Sequence, residues 1–232
     1  MLGKTTITTI FSMLVNPCFS GFYVGGAIGP EGAMFTQKAY VVQTGPNNLN
    51  IIDKNHFAGY GGFGSLFAGY GWAINRLYLA GEINANVSSV QYEYINFEFV
   101  NSNFARTTFT IKHSQGLSLL PGLLLGPDTL FYGRLGYANG RVKINESDTS
   151  ISSSNSNRPG FRYGLGMRHR VSSCWAVMMD YSQIHYKGIN SSVFDPVGSV
   201  LKNTKITPYT AQVAFGLIYN FDSPIPQEIT KD

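Results

Sequence analysis

The chain has 232 residues, of which 44% are hydrophobic and 14% aromatic but only 13% charged, with 26 glycines. The charged share is about half of that in a soluble domain, and the net charge of +4 carries no basic block, which argues against a nucleic-acid surface. No linker-like shift in composition precedes the last dozen or so residues, so one domain is the default at this length.

The first 20 residues resemble an export signal, with Lys4 as the positive end, residues 6–15 as a modest apolar run and Cys18-Phe19-Ser20 at the spacing of a cleavage site. Asn16-Pro17 before Cys18 fits lipoprotein processing poorly. Cleavage after Ser20 leaves Cys174 alone in an oxidising compartment, either packed into a turn or available for intermolecular pairing. Beyond this, no segment approaches the roughly 18 uninterrupted apolar residues of a membrane helix. The best, 117–126, is short and contains Pro121. A membrane crossing by this chain requires strands.

Period-two alternation recurs in eight stretches, at 21–29, 57–72, 76–87, 109–125, 129–142, 161–171, 175–181 and 209–221. In 76–87, RLYLAGEINANV, Leu77, Leu79, Ile83, Ala85 and Val87 alternate with Tyr78, Ala80, Glu82, Asn84 and Asn86. Short links at 73–76, 126–129 and 172–174 alternate with long polar ones at about 30–55, 90–108, 145–159 and 188–206. That alternation predicts an all-β, eight-stranded antiparallel up-and-down transmembrane β-barrel, with tight periplasmic turns and four outer loops.

Two features place the oily faces against lipid rather than in the core of a soluble sandwich. Small residues concentrate on the polar faces (Gly136, Ala138, Gly140, Gly164, Gly166, Ala214, Gly216), as a narrow eight-strand interior requires. Trp72, Phe131, Trp175, Tyr219 and Phe221 all fall within a few residues of a predicted periplasmic end, the latitude of an interfacial girdle.

GFYVGG (21–26), FAGYGWAINRLYLAGEINANV (67–87) and AFGLIYNF (214–221) resemble small outer-membrane β-barrel proteins of Gram-negative bacteria, the group related to the barrel domain of outer-membrane protein A. The resemblance covers residues 21–221 and is a matter of pattern rather than signature. It implies insertion by the barrel-assembly machinery, with Gly216, Tyr219 and Phe221 as the assembly signal. The chain departs from the pattern at Ala214, where a polar residue is usual, and in a tail, 222–232, that continues past the last aromatic and reads as a disordered stub.

The interior charges are the most site-like feature. Glu82 lies seven residues above Asn75, Arg134 six above Asp128, Arg168 four before Ser172 and Asp180 six above Cys174, so all occupy similar depth. A three-residue turn pairing Val171 with Trp175 places Arg168 opposite Met178 and diagonal to Asp180, while Glu82 and Arg134 can meet across the lumen. Unpaired burial costs several kcal/mol per ion, so a salt-bridge plug closing the pore is expected ahead of a gated ion path. Arg162, Arg170 and Lys112 lie nearer the mouths, where solvation is expected.

GYGGFG at 59–64 matches G-x-G-x-x-G, but the aromatic stretch after it offers no helix for a dinucleotide. A serine or acid two residues from a histidine would suggest a hydrolytic dyad on one strand face. None flanks His56, His113, His169 or His185 in that way, although cross-strand partners stay open for His113 and His185. No metal spacing or cofactor motif is present. Residues 90–107, VQYEYINFEFVNSNFART, read as two strands continuing above the membrane, or as an adhesive edge.

The expected role is structural or surface-interactive and non-enzymatic, with outer-membrane lipid, lipopolysaccharide and a host or cell-surface ligand as partners. The alternatives are a narrow channel for small or apolar solutes, a lipid A-modifying enzyme, or a soluble periplasmic sandwich.

Overall fold

The alternating stretches form ten antiparallel strands in the computed structural model, which describes residues 19–43, 48–98, 103–146, 153–195 and 199–221. They are β1 (Gly21–Gln43), β2 (Leu49–Ile74), β3 (Leu77–Ser88), β4 (Gln91–Glu98), β5 (Asn103–Leu124), β6 (Thr129–Glu146), β7 (Ser154–Arg170), β8 (Trp175–Tyr186), β9 (Ile189–Asp195) and β10 (Val200–Asn220). The expected export signal, save Phe19 and Ser20, and the expected tail at 222–232 lie outside the described residues.

Eight strands close a ring in the order β1, β2, β3, β5, β6, β7, β8, β10. Tyr23 closes it, pairing with Gly69 on one side and Asn220 on the other. β4 and β9 continue β3 and β8 after short breaks at 89–90 and 187–188. The short turns use the left-handed backbone they require, at Asn75 (φ 56°) and Gly126 (φ 89°).

The two faces of RLYLAGEINANV separate cleanly. Ile83 is 60% exposed on the outside, whereas Glu82 is 2% exposed within the ring. One register break interrupts this parity, a bulge between Ile111 and Ser114 in β5. Below it Ser114, Ser118 and Leu120 are buried, above it Ile111 and Phe109, and Lys112 and His113 both face out.

Glycine makes the narrow lumen possible. A Cβ on Gly166 would lie 2.5 Å from the Tyr132 ring, one on Gly71 2.7 Å from the Tyr78 hydroxyl, and one on Gly140 2.6 Å from the Tyr186 ring. Each inward tyrosine thus occupies the volume that a side chain on a nearby strand would fill.

The outer connections differ from expectation. The supposed loop at 30–55 is mostly strand, with β1 running to Gln43 and β2 starting at Leu49, and β7 and β10 likewise begin inside the predicted loops. Polar composition suggested loops, but in-register backbone pairing continues past the membrane. The ring does not. Tyr60↔Gln91 is the one register pair between β2 and β4, and β7–β8 pairing ends at Gly160↔Tyr186. Above those points the barrel divides into two sheets, β2-β1-β10-β9 and β4-β5-β6-β7.

An apolar core fills the space between the sheets, built from Phe35, Phe109, Ile111, Ile144, Ile189 and Ile206 among others. Phe35 stacks on Phe109 at 5.0 Å, and Phe57 lies 5.4 Å from Tyr92. Each such side chain contributes about 1.5–3 kcal/mol on burial. A second apolar cluster runs from Leu124, Leu130 and Ala176 at the periplasmic end up to Ala27 and Phe63, and includes Tyr23, Tyr78 and Tyr132.

Candidate functional site

Among these side chains the lumen carries six buried charges, the acids Glu31, Glu82 and Asp180 and the arginines Arg134, Arg162 and Arg168. Their formal charges cancel. Inward alternation on β3, β6, β7 and β8 delivers Glu82, Arg134, Arg168 and Asp180 to one level. Glycines opposite two of them clear the crossing, since Arg134 pairs with Gly164 and Asp180 with Gly166.

Arg134 lies between two carboxylates. Its Nη1 donates to Glu82 Oε1 at 2.7 Å, while Nε and Nη2 each lie 3.0 Å from Asp180 Oδ2. Arg168 Nη2 donates to Glu82 Oε2 at 2.7 Å. Three tyrosines complete the cluster: Tyr23 donates to Glu82 Oε2 (3.0 Å), Tyr132 donates to Asp180 Oδ2 (2.9 Å), and the Tyr78 hydroxyl accepts from Arg168 Nη1 (3.3 Å). The Arg168 guanidinium carbon sits 4.4 Å from the Tyr23 ring centre and 5.0 Å from that of Tyr132.

The register of Arg168 opposite Met178 is as expected, but its partner is not Asp180. Asp180 Oδ2 already receives Arg134 and Tyr132, and the two aromatic faces steer Arg168 toward Glu82. Arg162 is a correction. It is 4% exposed rather than solvated, and it donates to Ser182 Oγ (2.9 Å) and Gln212 Oε1 (3.3 Å), while Gln212 donates to Glu31 Oε1 at 2.9 Å. Lys112 is exposed, and Arg170 pairs with Asp128 at the periplasmic turn (2.5 Å).

Sequence reasoning missed the tyrosines and this second tier. Tyr23, Tyr78 and Tyr132 occupy inward positions, but a tyrosine there also reads as core. Glu31 fell in what looked like a loop.

The periplasmic-end aromatics Trp72, Phe131, Trp175 and Phe221 are exposed on the outer wall, and Tyr219 is half-buried between Trp175 (5.2 Å) and Phe221 (5.1 Å). Gly216 lies on the closing seam opposite Ala27, where a Cβ would come 2.8 Å from that of Ala27. GYGGFG runs within β2, and no helix follows it.

His56, His169 and His185 contact Thr36, Thr129 and Tyr163 respectively, and His113 stands opposite Val87. Among the described residues no three His, Cys, Asp or Glu side chains converge as a metal site would need. The Cys174 thiol lies in the turn beside Ser173.

A closed ring of eight strands with an apolar outer wall, aromatic periplasmic edge and charged interior defines a transmembrane β-barrel of the bacterial outer membrane. The chain belongs to the family described as outer membrane protein β-barrel domain, which matches residues 17–221. No curated protein matches it. Among solved structures, OprG of Pseudomonas aeruginosa is similar at 12% identity and a TM-score of 0.59, over 89% of this chain and all (100%) of that one. Neisserial surface protein A is similar at 14% identity and 0.43, over 87% and 98%. Ail of Yersinia pestis, solved with the heparin analogue sucrose octasulfate, gives 14% and 0.35, over 84% and 99%. At these identities the likeness is one of fold.

Proposed function

We propose that this protein is a non-enzymatic surface-interaction barrel, adhesin-like, whose membrane part is a plugged pedestal for the two sheets above it. The observation carrying this reading is the pairing of a filled lumen with open sheet edges outside. The buried charges cross the lumen as ion pairs linking β3, β6, β7 and β8, with apolar side chains packed around and above them. Above Tyr60↔Gln91 the outer edge of β4 and the facing edge of β2 have no register partner among the described residues. Such edges, with Ile52, Tyr60 and Ile95 exposed beside them, suit strand addition by an extended segment of a partner protein. The barrel-assembly machinery is the proposed inserting partner, reading Gly216, Tyr219 and Phe221.

The test compares adhesion of cells displaying the wild-type protein and Ile95→Lys, which places a charge on the β4 edge. Reduced adhesion with an unchanged heat-modifiable barrel band supports the reading. Discrete conductance steps in a planar bilayer favour the channel instead, and altered lipid A masses in expressing cells favour an enzyme.

A further inference from the structure

The outer wall of β2, β1 and β10 changes character in three successive rows, each set by cross-strand register. Ala58, Met34 and Tyr209 form the last wholly apolar row among the described residues, in direct register across the three strands. Two residues further out, His56, Thr36 and Thr207 form a polar row, with the Thr36 hydroxyl 3.1 Å from His56 Nδ1. The next row is Lys54, Lys38 and Lys205, again directly opposite one another, and all three are exposed. Lys187, also exposed, follows the end of β8 beside them.

Three like charges in adjacent cross-strand positions repel one another. Asp53, next to Lys54 in the chain, stands on the alternate face of β2 opposite Ala39 and accepts from Asn55. The outward positions of the same rows and the next one out, Tyr40, Ile52 and Asn203, carry no carboxylate. In sequence, residues 44–47 (TGPN) and 196–198 (PVG) contain no acid. Among the described residues none of the three lysines has an ion-pair partner.

We infer that Lys38, Lys54 and Lys205 form a binding site for the phosphate groups of an outer-leaflet glycolipid, whose acyl chains lie along the apolar wall beneath. The row order matches such a molecule from tail to head: apolar, then hydroxyl and imidazole, then ammonium. The lysines stand about 13 Å along the strands from the last apolar row, the zone that sugar and phosphate occupy above acyl chains. Lysine serves phosphate as a mobile point charge, and its stem lies along the wall while the ammonium reaches the headgroup. Continuity with the lipid-facing wall favours a lipid over a soluble polyanion. The lysines stand on the outward face of the upper sheet, so the assignment uses that face and not the backbone edge of β2.

The test reconstitutes the full barrel in phosphatidylcholine vesicles doped with bisphosphorylated lipid A, extracts it in mild detergent and measures lipid A retained per barrel. Lys38→Gln/Lys54→Gln/Lys205→Gln should lower retention about fivefold or more, from the attraction of each basic residue to an anionic surface. The loss should shrink as salt rises, and dephosphorylated lipid A should not distinguish the two proteins. Lys202→Gln, on the other face of β10, should leave retention unchanged, and Lys38→Gln alone should give a smaller loss should the triple variant misfold. Equal retention by wild type and both row variants overturns the site. Loss of binding to immobilised heparin with lipid A retention intact also overturns it, in favour of a soluble sulfated glycan.

Discussion

Arg168 and Glu82, 86 residues apart in the chain, meet at 2.7 Å across the lumen, and Arg134 joins the same carboxylate from β6. Two guanidinium groups on one glutamate are tolerable because Asp180 takes the other side of Arg134. The four charges therefore act as a unit. Arg134→Ala leaves Glu82 and Asp180 with reduced compensation and should destabilise the barrel by about 3–5 kcal/mol. Glu82→Ala combined with Arg134→Ala should cost less than the two single effects added, with a coupling of about 0.5–3 kcal/mol. Urea unfolding in lipid vesicles, followed by the heat-modifiable gel band, measures all three; strict additivity would mean that the contact carries no energy.

The orientation of β3 yields a second prediction. Ile83 points to lipid in the membrane-spanning part of the strand, so Ile83→Arg should cost about 2–4 kcal/mol in a bilayer. Val87→Arg, nearer the outer interface, should cost less. Equal penalties at the two positions would contradict the depth assigned to β3.

Tyr132 lies over Gly166 and donates to Asp180. Gly166→Ala should therefore displace the ring and cost about 1–3 kcal/mol through overpacking. Tyr132→Leu in the same chain should recover part of that loss if the clash is with the ring. The same unfolding assay reads it, and a neutral Gly166→Ala would rule the close approach out.

Above the membrane, Phe109 is fully buried between the two sheets, against Phe35 and Phe57. Phe109→Ala should remove about 3–5 kcal/mol from that core and leave the charge cluster intact. Protease added to whole cells should then cut the outer strands faster than in wild type, while the membrane-embedded band keeps its mobility. Unchanged protection would show that the sheets hold together without this ring.

Sequence alone determined the facing of β3, because a period of two leaves only inside and outside, and a single carboxylate such as Glu82 decides between them in lipid; in β5 the bulge between Ile111 and Ser114 reverses the parity, and only the structure shows it. It also placed the four charges at one depth, since depth is a count along a strand from a turn. The tertiary structure decided which charges pair. Arg168 turns to Glu82 rather than to nearby Asp180 because Tyr23 and Tyr132, from two other strands, hold its guanidinium, and no spacing along β7 contains that information. Polar composition also misled at 30–43, 49–55 and 154–159, since the pairing that holds those residues in strands comes from backbone groups that every residue carries. The division into two sheets and the lysine row have the same origin. Each depends on which residue of one strand lies beside which residue of the next, and that is fixed only when the ring closes.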